Sequence, residues 1–139
     1  MKDITIQQVE NLAFGFAKEH LRLDEPIPDF STRFPNKLES CLITPFMKFG
    51  GKYLYPSMVG KASIMFYLLI KNHPFQNGNK RIAVATLLAF LGKNNKWLDV
   101  EPIDLYNFTT WIAESLPEAK GGTVKAIEDF ITKYITVLE

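Results

Sequence analysis

The chain has 139 residues, with 16 Lys+Arg against 15 Asp+Glu and a formal net charge of +1. That length fits one domain over residues 1–139, and that charge disfavours a duplex-binding protein working by bulk phosphate attraction, so no nucleic-acid partner is expected. Apolar residues make up 47% and charged residues 22%, which excludes a disordered chain.

The first ten residues, MKDITIQQVE, lack the basic-then-apolar layout of a signal peptide. The longest apolar run, interrupted only by Thr86, covers about ten residues, short of the ~20 that a membrane span needs. No membrane association is expected, and the expected location is cytoplasmic. The single cysteine, Cys41, excludes an internal disulfide and a cysteine-based zinc site, and fits a reducing compartment.

Helical periodicity dominates. Residues 5–21 read as a first helix with Ile6, Val9, Leu12, Ala13, Phe16 and Ala17 on one face. Residues 24–35 are proline-rich and read as an irregular loop, followed by a short helix over 37–42. Phe49-Gly50-Gly51-Lys52-Tyr53 has the glycine pair of a tight hairpin. Pro56 is expected to open a helix to about Lys71, and residues 79–93 form a second. Both are apolar nearly all round, as central helices are. Residues 102–116 give another helix with Leu105, Phe108, Ile112 and Leu116 in phase. Gly121-Gly122 is expected to break the chain, with Thr123 capping a last helix that faces Val124, Ile127, Phe130, Ile131 and Tyr134 inward. The expected fold class is all-α, a helical bundle with one small β-hairpin.

The two central helices are joined by His73-Pro74-Phe75-Gln76-Asn77-Gly78-Asn79-Lys80-Arg81. A glycine turn opening a helix presents backbone N–H groups that the helix does not use, and the helix dipole favours an anion there. Lys80 and Arg81 in the first turn oppose that dipole, which suggests a bound anion that compensates them. His73 is placed to act as a general base. Phe75, between polar neighbours, is expected to plug into the core. Taken singly these features have ordinary readings, a capping histidine, a solvated basic pair and a plain turn. Together in nine residues between buried helices they favour a phosphate-handling site. His20 reads as a surface residue, Cys41 as a small core residue, and Trp97 and Trp111 as packing.

This loop resembles the signature of the Fic/Doc family. Fic enzymes carry His-x-Phe-x-acid-Gly-Asn-Gly-Arg-x-x-Arg, whereas the Doc (death on curing) branch has Lys at the second glycine. Lys80 stands there in this chain, so the sequence resembles Doc. The likeness extends through Leu38-Glu39-Ser40, Phe49-Gly50-Gly51, Leu54-Tyr55-Pro56-Ser57 and Lys71-Asn72-His73, covering roughly residues 35–95.

The resemblance implies a Fic/Doc-type helical bundle and a Doc-like toxin that moves the γ-phosphate of ATP to a protein hydroxyl, a threonine of elongation factor Tu in Doc, and so blocks translation. It implies ATP and Mg²⁺ as cofactors. His73 would take the hydroxyl proton, and Asn77, Gly78 and Asn79 would line the phosphate cradle with Lys80 and Arg81, which would neutralise developing charge. The hairpin of Phe49, Gly50, Gly51 and Lys52 matches the family's flap, which docks a target segment by strand addition.

Two further positions depart from the Fic pattern. The family's metal-binding position is normally acidic and here is Asn77. Three readings stay open: the amide oxygen ligates Mg²⁺, the nucleotide phosphates alone hold the metal, or the chain binds nucleotide and transfers poorly. Val84 stands where Fic enzymes have a second Arg, as in Doc proteins, which also lack it. No inhibitory Ser/Thr-x-x-x-Glu-Gly/Asn helix is found, so the resemblance implies a small Phd-like antitoxin partner acting in trans. The alternatives are a Fic-type nucleotidyltransferase that AMPylates a protein hydroxyl, and a catalytically weakened nucleotide-binding module.

Overall fold

The computed structural model describes residues 1–20, without the His20 side chain, and residues 27–138. The expectations for Leu21, for Asp24 and Pro26, and for the surface placement of His20 lie outside the described residues.

The first helix opens on a capping box. The Thr5 hydroxyl accepts from the Gln8 N–H at 3.2 Å, and the Gln8 side-chain oxygen accepts from the Thr5 N–H at 3.0 Å. The helix then changes pitch, from α1 (Ile6–Gln8) through a π-helical stretch (Val9–Phe14) to α2 (Gly15–His20). The wider π turn shifts the buried face. Val9, Ala13, Phe14 and Ala17 are buried, while Leu12, expected on the inner face, is 49% exposed. Phe14, which a regular helix would turn away, instead meets the rings of Phe30 at 4.9 Å and Phe75 at 5.2 Å.

After a 3₁₀ turn at Phe30–Thr32, α3 runs over Pro35–Ile43, two residues earlier than expected, because Pro35 takes the first helical position. A second 3₁₀ turn, Thr44–Phe46, leads into the expected hairpin. Strands β1 (Lys48–Phe49) and β2 (Lys52–Tyr53) pair antiparallel with Lys48 opposite Tyr53 and Phe49 opposite Lys52. Gly50 at φ +58° and Gly51 at φ +80° make the two-residue turn, a backbone that L residues adopt only under strain.

Helix α4 (Met58–Lys71) is capped by Ser57, whose hydroxyl accepts from the Gly60 N–H at 2.9 Å. Pro56 therefore stands outside the helix rather than opening it. Gly60 through Ile70 are all buried, Lys61 and Ser63 included. Helix α5 (Asn79–Lys93) occupies the expected residues. It packs on α4 along the centre of the molecule, with the π-helical stretch, α2 and α6 on its other sides. Each Leu, Ile or Phe fully buried in that pair contributes about 1.5–3 kcal/mol.

The remainder departs from the expected pattern in three places. Strand β3 (Lys96–Leu98) pairs antiparallel with β4 (Ile135–Val137), with Trp97 opposite Thr136, so the bundle carries a second two-stranded sheet. Helix α6 (Pro102–Glu114) is followed by a 3₁₀ turn, Pro117–Ala119, and then by α7 (Lys120–Tyr134), which runs through Gly121 and Gly122 without a break. Thr123 is buried inside this helix instead of capping it. The glycines fall in the first turn, where side-chain propensity costs least and where packing of Ile127 and Ile131 carries the helix. Leu116 lies beyond α6 and is exposed.

The architecture is the expected helical bundle with a small hairpin. Among the described residues no helix is long and apolar enough to cross a membrane.

Candidate active site

The loop between α4 and α5 is built from the backbone outward. Asn72 caps α4 in a right-handed conformation, and His73 follows at φ +49°, in the left-handed region. Glycine usually takes this place after a helix, and a non-glycine residue there costs roughly 1–2 kcal/mol. The His73 side chain is exposed.

Beyond it the chain turns inward. Pro74 is buried, and its carbonyl accepts from the Phe34 N–H at 2.8 Å, which ties the loop to the start of α3. The Phe75 ring is 2% exposed and packs on Phe14 and Phe30, so the expectation that it plugs into the core is met. Gln76 and Asn77 return to the surface. Gly78, at φ +70°, starts α5 with no side-chain cap. Asn79 then folds back: its Oδ1 accepts from the Phe75 N–H at 2.9 Å and its Nδ2 donates to the Phe75 carbonyl at 2.8 Å. These two bonds close the loop into a ring and turn the Asn79 side chain into the protein.

At the start of α5 the Gly78 carbonyl accepts the Ile82 N–H at 3.0 Å. The backbone N–H groups of Asn79, Lys80 and Arg81 precede that bond, at the N-terminal end of the α5 ladder. The positive end of the helix dipole lies at this turn, and a helix start of this kind favours an anion.

The two cations diverge. The Lys80 ammonium lies 5.4 Å from the centre of the Tyr106 ring on α6. Arg81 is 7% exposed and turns toward the first helix, where one terminal nitrogen donates to the Ala17 carbonyl at 2.9 Å. Between them and α6 lies an apolar cavity of about 190 Å³, lined also by Phe16, Val84, Leu88, Trp97 and Tyr106. Trp97 lines this cavity, whereas Trp111 is half exposed and stacks on Phe108 at 5.6 Å.

The hairpin stands near the other end of α4. Tyr53 packs its ring over the Lys61 ammonium at 3.9 Å, and Lys61 precedes His73 by a helical path of about 18 Å. Phe49 is 80% exposed, and its strand keeps an open edge among the described residues. Sequence reasoning missed three parts of this region: Tyr106 beneath Lys80, the Ala17 carbonyl that holds Arg81, and Lys61 behind the hairpin. Only Lys61 left a signal, as a charge within an otherwise apolar helix.

Lys71 steadies α4 just before the loop, donating to the Ala113 carbonyl at 3.1 Å and the Ser115 carbonyl at 2.6 Å at the end of α6. Cys41, fully buried on α3, lies within hydrogen-bond reach of Asn72, and burial pushes its thiol up to about 12. Among the described residues no group of three or more His, Cys, Asp and Glu could hold a metal ion.

No curated protein and no solved structure matches the chain. The Fic/DOC family model matches residues 2–91, a span that contains the first helix, the hairpin, α4, the loop and most of α5. The chain therefore belongs to the Fic/DOC family, a membership that suggests a Fic-type transferase acting on proteins.

Proposed function

We propose that this family member is a Doc-like phosphotransferase, moving the γ-phosphate of ATP to a protein hydroxyl, and that it serves as a toxin restrained by a small Phd-like antitoxin in the cytoplasm. A threonine of elongation factor Tu is the proposed target. The observation that carries the reading is Lys80 in the first turn of α5, two residues after the left-handed Gly78. A glycine there would let a phosphate approach the backbone. Lysine fills that space and adds a point charge, which disfavours the nucleotide pose of an AMP transferase.

His73 takes the proton of the target hydroxyl as its oxygen attacks the γ-phosphorus. The bond from the γ-phosphorus to the bridging oxygen breaks, and ADP leaves with that electron pair. The N–H groups at the start of α5 and the Lys80 ammonium stabilise the charge spreading over the transferred group. Arg81, fixed on Ala17, adds positive charge from a constant position. Mg²⁺ would enter with ATP as part of the substrate, and Asn77, exposed on the loop, would be the residue to contribute a neutral amide oxygen toward it. The open edge of the hairpin aligns the target segment by strand addition.

The test is the intact mass of elongation factor Tu after incubation with the chain and Mg²⁺-ATP, beside a His73→Ala control. A phosphate-sized gain that needs His73 is expected. An AMP-sized gain would overturn the reading in favour of nucleotidyl transfer, and no gain would remove elongation factor Tu as the target.

A further inference from the structure

A second concave site lies at the far end of α5, about 20 Å along the helix from Lys80. This open cavity of about 540 Å³ is bounded by Lys2, Asp3, Phe46, Tyr53, Lys61 and Lys93. Three lysines and the N-terminal residue Met1 therefore line it beside one aspartate.

Lys61 is the unusual member. Its side chain is 2% exposed, it donates to the Tyr55 carbonyl, and it lies against the rings of Tyr53 at 3.9 Å and Phe46 at 5.4 Å. Among the described residues no carboxylate pairs with it. Burial of an ammonium without a counter-charge is costly, and burial lowers its pKa accordingly. Lys93 is partly buried and bonds to neutral acceptors, its Nζ donating to the Asp3 carbonyl at 2.6 Å and to the Gln8 side-chain oxygen at 2.8 Å. An ammonium has three donors, so both lysines keep N–H capacity beyond these bonds. The segment bearing Lys2 is clamped to the end of α5, since Asn94 accepts from the Lys2 N–H at 2.7 Å and donates to its carbonyl at 2.9 Å.

We propose that this cavity is a second anion site, which takes free phosphate or the phosphate group of a small phosphate ester between Lys61, Lys93 and Lys2. The bound anion supplies the counter-charge that Lys61 otherwise lacks. Because Tyr53 belongs to β2 and rests on Lys61, occupancy also braces the base of the hairpin, linking the anion to the surface that aligns the target.

The test is a backbone-amide NMR titration of the full chain with inorganic phosphate, against a sodium chloride series of equal ionic strength. Saturable shifts at Phe46, Tyr53, Lys61 and Lys93, absent from the chloride series, are expected. Shifts at residues 78–81 report the loop separately. Lys61→Met and Lys93→Met should each weaken the first set by roughly tenfold and leave the second unchanged. Should Lys61→Met fail to fold, Lys93→Met alone decides. A parallel titration with ribose 5-phosphate separates the two sources, tighter binding assigning the ester and equal binding the free anion. Shifts confined to residues 78–81, shifts matched by chloride, or wild-type affinity in Lys93→Met would overturn the proposal.

Discussion

Asn79 holds Phe75 by both ends of its peptide neighbourhood, accepting from the Phe75 N–H at 2.9 Å and donating to the Phe75 carbonyl at 2.8 Å. The loop's shape thus depends on an amide that both donates and accepts. Asn79→Asp keeps the acceptor and sets a carboxylate against a carbonyl, so it should cost about 2 kcal/mol or more, as should Asn79→Ala. Chemical denaturation of the two variants checks this. Both should also lower transfer activity, because the N–H groups at the start of α5 lose their fixed direction.

His73 carries backbone strain as well as the proposed chemistry. Replacing it by glycine relieves the strain and removes the base. His73→Gly should therefore be more stable than His73→Ala by about 1 kcal/mol, with both inactive. Melting temperatures beside transfer assays read the two effects separately.

The hairpin turn needs left-handed backbone at both Gly50 and Gly51, although a side chain at either would meet open space. Gly51→Val should unpair β1 from β2 at a local cost of about 1–2 kcal/mol while global stability changes little, since both strands are exposed. Nucleotide binding should persist and modification of the protein target should fall. Hydrogen exchange at Leu54, whose N–H donates to the Met47 carbonyl, reports the turn directly.

Cys41 gives a pH prediction. Burial raises its pKa to about 12, whereas an unfolded thiol ionises near 8.5. Between those values the folded chain binds more protons than the unfolded one, so this thiol's contribution falls as pH rises through that window and is intact below it. Cys41→Ala should flatten the alkaline decline in stability relative to the wild type. The native thiol should resist iodoacetamide at pH 8 and react once the chain is denatured.

The sequence made the centre of the molecule legible because its signals are local. Gly78 followed by an apolar run fixes the start of α5, and the glycine pair fixes the hairpin. The π turn at Val9–Phe14 was illegible, since composition does not distinguish a wide turn from a regular one and only the packing of Phe14 on Phe75 shows its purpose. The pairing of Trp97 with Thr136 joins segments far apart in the chain and carries no local mark. Gly121-Gly122 misled because glycine propensity is weaker than the packing of α7. In the site itself, residue types were readable but directions were not: nothing in the run Asn-Lys-Arg tells that Asn79 and Arg81 turn inward while Lys80 turns to Tyr106.

The central claim is that a phosphate group, and not AMP, leaves ATP through His73. The most direct measurement supplies the chain and its protein target with ATP labelled at either the γ- or the α-phosphorus and follows label into protein. The account predicts transfer of the γ-label alone, lost in His73→Ala. Transfer of the α-label, or γ-transfer that persists without His73, would contradict it.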